Sequence, residues 1–211
     1  MRIASEGGRL LLPLSGILLI VVLADWFVRL PALHVLAAGV FILILLVLFF
    51  FRDPERKIPA GKDLVLAPCD GRVILSSDAS GGARQGRVAI FMSVLDVHVN
   101  RNPVTGVVQE IQRHRGSFRH AAAPQAARVN TSVTVRASTD FGEVTWIQVA
   151  GSLARKISCR LKEGQSVEAG KRFGLVYLGS RMEVLTPAAV RIRVTPGQRV
   201  RAGLTIIGEV S

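Results

Sequence analysis

The sequence predicts a mainly β domain, like a barrel-sandwich hybrid, carried on an N-terminal transmembrane helical hairpin. Three observations predict it. The first fifty residues carry almost no charge, and the rest alternates short Val/Ile/Thr-rich runs with glycine and proline. A heptapeptide also occurs twice near the end, as GQSVEAG at 164–170 and GQRVRAG at 197–203, each followed by an apolar run and another glycine. A turn of this kind presents a strand, and its repetition suits the two halves of such a fold. The 211 residues leave room for one soluble domain and a short appendage.

The hairpin is read from two apolar stretches, 10–28 and 32–51, each near the ~20 residues that cross a bilayer as a helix. Pro13 and Asp25 weaken the first, which suits a tilted or partly interfacial span. No small-residue cleavage site follows it and a second span does, so a signal peptide is the poorer reading. The link Arg29-Leu-Pro-Ala allows only a tight turn. Arg2 and Arg9 precede the first span, and Arg52, Arg56, Lys57 and Lys62 follow the second. The positive-inside rule then puts both ends, with the whole of 52–211, on the cytoplasmic side of the inner (cell) membrane. A buried hairpin within a soluble protein would need a larger body to cover it. The expected domains are therefore 1–51, the membrane hairpin, and 52–211, the β domain.

Within that domain, strands are expected at 64–67, 71–75, 87–92, 106–111, 129–136, 143–150 and 157–161, with one helix near Leu153. Residues 120–128 read as a loop or helical turn crossing the domain. The net charge is +12, and only Arg2, Arg9 and Arg29 of the 27 basic residues precede Arg52. Such a domain seeks phosphate, on nucleic acid or on an anionic bilayer. One Tyr, two Trp and no recognition-helix or zinc-finger spacing make nucleic acid the weaker choice. Cys69 and Cys159 form no CxxC pair and read as reduced thiols. No metal set is expected, and there is no Walker loop, GxGxxG or GxSxG.

Several residues could carry chemistry. In FGLVYLGSRMEVLTP, 173–187, apolar runs meet at Gly179-Ser180. A constrained hydroxyl beside an unshielded glycine carbonyl can attack that carbonyl, although a plain turn gives the same pattern. His98 follows an apolar strand, and strand alternation would place Asp96, His98 and Asn100 on one face, where a carboxylate could orient the imidazole as a base. The alternative is a structural histidine. Asp70-Gly71 signals a turn. His114 and Arg115 lie among Arg113, Arg119 and His120, a loop suited to phosphate and equally to a solvated face.

FRDPER, PCDGRV, SVLDVHVNRNPVTG, GSF followed by Asn130, QVAGSLARKI and FGLVYLGSR, in that order, resemble the short bacterial and archaeal-type phosphatidylserine decarboxylase proenzyme over nearly the whole chain. The resemblance implies a self-processing lyase of phospholipid biosynthesis that turns phosphatidylserine into phosphatidylethanolamine and CO2. It implies autocatalytic cleavage between Gly179 and Ser180, a covalent pyruvoyl group (pyruvate) made from Ser180, and a Schiff base between that group and the substrate amine. The chains 1–179 and 180–211 would remain associated, with anionic membrane lipid as a further partner and a homo-oligomer allowed. Asp70 matches the aspartate of the self-cleavage set, and His98 the first histidine of the long-form DYHxxH pattern. The second falls at or near Arg101, so Ser180 is activated either by His98 or by Arg101 polarising the Gly179 carbonyl. Arg181 fits the short form. Asn130, with Arg101, His114 and Arg115, is a candidate substrate contact. A rival of another class is a non-enzymatic, membrane-anchored lipoyl-like adaptor; against it, this sequence has Gly179-Ser180 rather than a lysine at the expected hairpin tip and no long heptad coiled coil. A pyruvoyl decarboxylase of a soluble amino acid is a second rival, opposed by the hairpin.

Overall fold

The structure, a computed structural model, describes residues 2–79, 85–123, 125–152 and 155–210. The chain forms two compact units, 1–55 and 56–211. In the first, the strands β1 (Arg2–Ile3) and β2 (Arg52–Asp53) pair antiparallel around two helices, α1 (Ser5–Val28) and α2 (Pro31–Phe50). α1 starts five residues before the apolar run and continues through Pro13. The turn between the helices is only Arg29 and Leu30. Arg29 adopts a left-handed conformation, φ 54°, and Pro31 supplies the pre-set φ that opens α2. Asp25 and His34 pair across the turn at 3.1 Å. Leu12, Trp26 and Phe27 are about four-fifths exposed. Both helices are long and apolar enough to cross a membrane, which points to membrane association.

The second unit is mainly β, as the sequence predicts. Its strands are β3 (Leu64–Leu66), β4 (Gly71–Ser77), β5 (Gln85–Met92), β6 (Val99–Arg101), β7 (Gly106–His114), β8 (Ser132–Thr139), β9 (Gly142–Val149), β10 (Ile157–Cys159), β11 (Ser166–Val167), β12 (Arg172–Val176), β13 (Ser180–Pro187), β14 (Val190–Ile192), β15 (Arg199–Val200) and β16 (Ile206–Val210). A single helical turn, α3 (Ala126–Val129), lies in the crossing loop. The helix expected near Leu153 falls outside the described residues. An eight-stranded curled sheet has the order β11-β7-β8-β9-β13-β5-β4-β15. Two three-stranded sheets, β10-β12-β6 and β14-β16-β3, complete the domain. Trp146 and Phe173 meet edge-to-face within the buried core, 6.1 Å between centroids.

The strand order is symmetric about the β9–β13 seam. The heptapeptides supply the edge strands β11 and β15, at opposite ends of the large sheet. Their hydrogen bonds repeat: Gly164 N–H donates to the Val108 carbonyl and Gly197 N–H to that of Val73, both at 2.8 Å. Gly170 N–H donates to Asn102 and Gly203 N–H to Ala67, again at 2.8 Å. A second, fainter repeat appears with them, PCDGRV at 68–73 against PVTGVV at 103–108. Added Cβ atoms at Gly71 and Gly106 would come within 2.1 and 2.2 Å of the Phe91 and Ser138 carbonyl oxygens, so both positions need glycine for the same close approach.

Candidate active site

Ser180 opens β13, at the seam between the two halves. Gly179 before it has φ +67°, a left-handed backbone that favours glycine. On β13, alternation points Ser180 the same way as Met182 and Val184, into the core. Ser180 is fully buried, and its Oγ has no hydrogen-bond partner among the described residues. A buried hydroxyl left unpaired costs roughly 1–3 kcal/mol, so its retention calls for an explanation in function.

The surroundings of this hydroxyl come from three directions. Met92 of β5 stands opposite Ser180, and Gln148 of β9 opposite Met182. Ser180 and Gln148 are thus diagonal neighbours on one face. Gln148 Nε2 donates to Asn100 Oδ1 at 2.9 Å, and Asn100 Nδ2 contacts Met92 Sδ at 3.8 Å. Gln148 Oε1 is buried without a donor among the described residues. From the facing sheet comes His98, fully buried just before β6, whose carbonyl accepts the Val176 N–H at 3.4 Å. The strand β12 that ends at Val176 leads directly into Gly179-Ser180.

Asp96 does not join His98. The strand begins only at Val99, and Asp96 closes a turn by accepting the Ser93 N–H and Oγ–H, each at 2.8 Å. Asp70 is held bidentately by Arg56 at 2.6 and 2.8 Å and accepts the Ala202 N–H at 2.8 Å. It precedes β4, two strands from Ser180 across β5, about 10 Å at ordinary strand spacing. The Arg101 guanidinium donates to the Gly170 carbonyl at 2.9 Å, where the two heptapeptide turns meet. Asn130 is a clip. Its Nδ2 donates to the carbonyls of Arg119 and Ala150, both at 2.8 Å, and its Oδ1 accepts the Arg119 N–H at 2.9 Å.

The outer face of β13 carries Arg181, bound to Glu183 at 2.6 Å, which also holds Arg87 at 2.8 Å. Burial pulls the Arg181 pKa down, against the raising effect of Glu183. His120 of the crossing loop stacks on Phe91, the residue opposite Arg181, at 5.5 Å between centroids.

A basic cavity of about 270 Å³ gathers Arg113, His114 and Arg115 with Arg155 and Lys156, beside Thr131 and Ser132. Among the described residues, no acidic side chain lines it. Arg113, His114 and Arg115 are a local basic cluster visible in the sequence; Arg155 and Lys156, within QVAGSLARKI, join them only through the fold. Lys156 links the cavity to the strand before Ser180, because its carbonyl accepts the Tyr177 N–H at 3.2 Å and its ammonium lies 5.7 Å from the Tyr177 ring centre.

Comparison with known proteins bears on this arrangement. A family model described as phosphatidylserine decarboxylase matches residues 43–208. A protein of Chlorobaculum tepidum, named phosphatidylserine decarboxylase proenzyme, is 38% identical over 212 aligned residues, covering 99% of this chain and 98% of that protein. Proteins of the same name from Chlorobium phaeobacteroides and Cupriavidus pinatubonensis are 42% and 40% identical, covering 85% and 82% of this chain and 86% and 82% of their own lengths.

Proposed function

The chain belongs to the phosphatidylserine decarboxylase family, and on that premise we propose that Ser180 both cuts the chain at Gly179 and becomes the group that performs the reaction. The protein is a self-processing decarboxylase that converts phosphatidylserine to phosphatidylethanolamine and CO2, and the adaptor reading falls away. The observation that carries the role of Ser180 is its fully buried, unpartnered hydroxyl following a left-handed glycine.

In the cleavage step, Ser180 Oγ bonds to the Gly179 carbonyl carbon and the C–N bond breaks. An ester results, with its proton passed to the freed amine. Loss of the Ser180 α-proton and rupture of the Cβ–O bond release Gly179 as a carboxylate and leave dehydroalanine at 180. Tautomerisation and hydrolysis by one water give a pyruvoyl group and ammonia. A buried hydroxyl with no partner among the described residues fits the precursor of such a group. Once formed, that ketone supplies an electrophile for the substrate amine and a sink for the electron pair left by CO2.

The chain's own residues do the rest. His98, buried at the strand that feeds Gly179, is the group we assign to take the Ser180 proton. Gln148 Oε1, held by Asn100, offers an acceptor to the substrate amine. The engagement of Asp70 by Arg56 and Ala202 supports a part in fixing β4 and β5 beside Ser180. Arg101, bound to Gly170, and Asn130, bound to Arg119 and Ala150, support the frame rather than the substrate directly. The basic cavity, with His114, Arg115, Arg155 and Lys156, suits the phosphodiester of the head group. The position of β13 between β9 and β5 supports lasting association of the two product chains. The hairpin tethers the domain to the bilayer that holds its substrate, with the charge pattern favouring the cytoplasmic face.

The test is the intact mass of the purified protein under denaturing conditions. Wild type is expected to give 1–179 and 180–211, the smaller blocked to N-terminal sequencing and carrying the pyruvoyl mass. Ser180→Ala should remain a single species of 22.8 kDa. A folded wild type that stays full length overturns the proposal.

A further inference from the structure

Gly151 follows the end of β9, where the seam with β13 stops: the last pair is Val149 with Arg181. A Cβ built on Gly151 would lie 1.7 Å from the Gly179 carbonyl oxygen, 2.7 Å from its carbon and 3.4 Å from the Leu178 oxygen. All three are backbone atoms, so no rotamer change could relieve the clash. Gly151 is absent from the positive-φ glycines, so its own backbone conformation does not demand glycine. The demand comes from the peptide it touches, the bond to be cut.

We propose that Gly151 is a positioning residue for self-cleavage, whose bare backbone lies against the Gly179 carbonyl and fixes the plane of that peptide for attack by Ser180. The inference rests on the proposed cut between Gly179 and Ser180. Attack by the adjoining hydroxyl closes a five-membered ring, which tolerates little rotation of the carbonyl. Gly151 can restrict that rotation because its own segment is tied down. Ala150 N–H donates to the Thr131 carbonyl at 2.9 Å, and the Ala150 carbonyl accepts Asn130 Nδ2 at 2.8 Å. The clip at Asn130 thereby acts on the scissile peptide through Gly151.

Gly151→Ala should slow cleavage ~100-fold, the scale set by misplacing reacting atoms by about an ångström. The readout is the time course of full-length protein and fragments on a denaturing gel after purification. Gly106→Ala is the control, because its added Cβ would also collide with backbone, 2.2 Å from the Ser138 oxygen, away from the cut. It should lower the melting temperature yet cleave at nearly the wild-type rate. Hydroxylamine adds a readout that fold stability does not move, since it splits an accumulated ester. With Gly151→Ala it should release no fragment beyond those formed without it, because ester formation is the slowed step and the ester does not accumulate. If Gly151→Ala does not fold, Asn130→Ala carries the test, with cleavage slowed ~10-fold in a folded chain at the lower end of the same misplacement scale. Wild-type cleavage rates in the folded variant tested overturn the inference, as does slowing by Gly106→Ala equal to that by Gly151→Ala. Hydroxylamine-releasable ester in Gly151→Ala would overturn it too. A wild type that is itself never cut at 179–180 instead removes the reading on which it rests.

Discussion

The two halves of the β domain use the same frame for different ends. In each, a Pro-x-x-Gly turn leads into a long strand, a GQxVxAG turn caps an edge, and a glycine lies against a neighbouring carbonyl. In one half the central strand β9 is entered from a short turn, Thr139 to Gly142, whose Gly142 has φ +118° and would place a Cβ tightly against the Pro187 side chain at 3.3 Å. In the other, the matching strand β13 is entered through Tyr177-Leu-Gly-Ser180, and its first residue is a buried, unpaired hydroxyl. The difference teaches that the fold does not need the serine. A sheet seam needs a strand at that place, and the same architecture is completed opposite with no buried side-chain polar atom left unpaired at its start among the described residues.

The largest expected effect follows directly. Ser180→Ala should abolish cleavage and decarboxylation entirely while leaving the fold intact. Within a His98→Ala background, where the chain is expected to stay uncut and keep Ser180, removing the unsatisfied buried hydroxyl should raise stability by ~1 kcal/mol, readable as a higher denaturant midpoint at unchanged slope. A loss of stability would mean that the hydroxyl has a structural partner, and the contrast between the halves would collapse.

Asp70 and Thr105 are counterparts, each accepting the alanine N–H of its heptapeptide, from Ala202 at 2.8 Å and from Ala169 at 3.1 Å. Asp70 alone is also paired with a nearly buried arginine, Arg56. Asp70→Ala should therefore cost ~3 kcal/mol by leaving that arginine uncompensated, against ~1 kcal/mol for Thr105→Ala, both from chemical denaturation. Asp70→Asn separates the clamp from chemistry. Cleavage slowed only in line with lost stability marks a clamp; slowing well beyond that of Arg56→Gln gives Asp70 a part in the cut.

Third in size is the basic cavity, which belongs to one half only. Arg155→Ala and Lys156→Ala should each raise KM for phosphatidylserine vesicles ~10-fold, the worth of a charge-assisted contact, with kcat and the cleavage rate little changed. A fall in kcat at constant KM would assign these residues to the reacting centre instead.

How much of this was legible before the structure depends on distance along the chain. The helices, the heptapeptide and Leu-Gly-Ser-Arg are local patterns, fixed by apolar runs or by glycines that a turn requires. The Pro68 and Pro103 turns share little beyond proline and glycine, because a core position accepts Cys69 or Val104 alike. Arg155 and Lys156 reach Arg113 and Arg115 only when β7–β8 and β10 come together. Strand alternation misled at Asp96, where turn chemistry with Ser93 ended the strand early. Nothing local marks Gly151, since its demand is set by a peptide on another strand.

The smallest effect tests the halves at the Cys69/Val104 pair. Burial, followed by Asp70, pushes the Cys69 thiol well above its ordinary value, so it stays protonated in the folded chain. In the unfolded chain it ionises near pH 8.5. A group whose folded pKa is raised contributes stability that is fully present below the unfolded value and is lost as pH climbs past it. Between pH 7 and 9 the loss from this thiol should be just under ~1 kcal/mol. Cys69→Val, which installs the residue of the other half, should remove that share of the pH dependence and leave stability at pH 7 within ~1 kcal/mol of wild type, as a volume-conserving swap. Urea midpoints at pH 7 and 9 for both proteins read it. If the two lose stability in parallel, the thiol ionises in the folded chain as readily as in the unfolded one, and Cys69 is not the closed core position that Val104 occupies opposite.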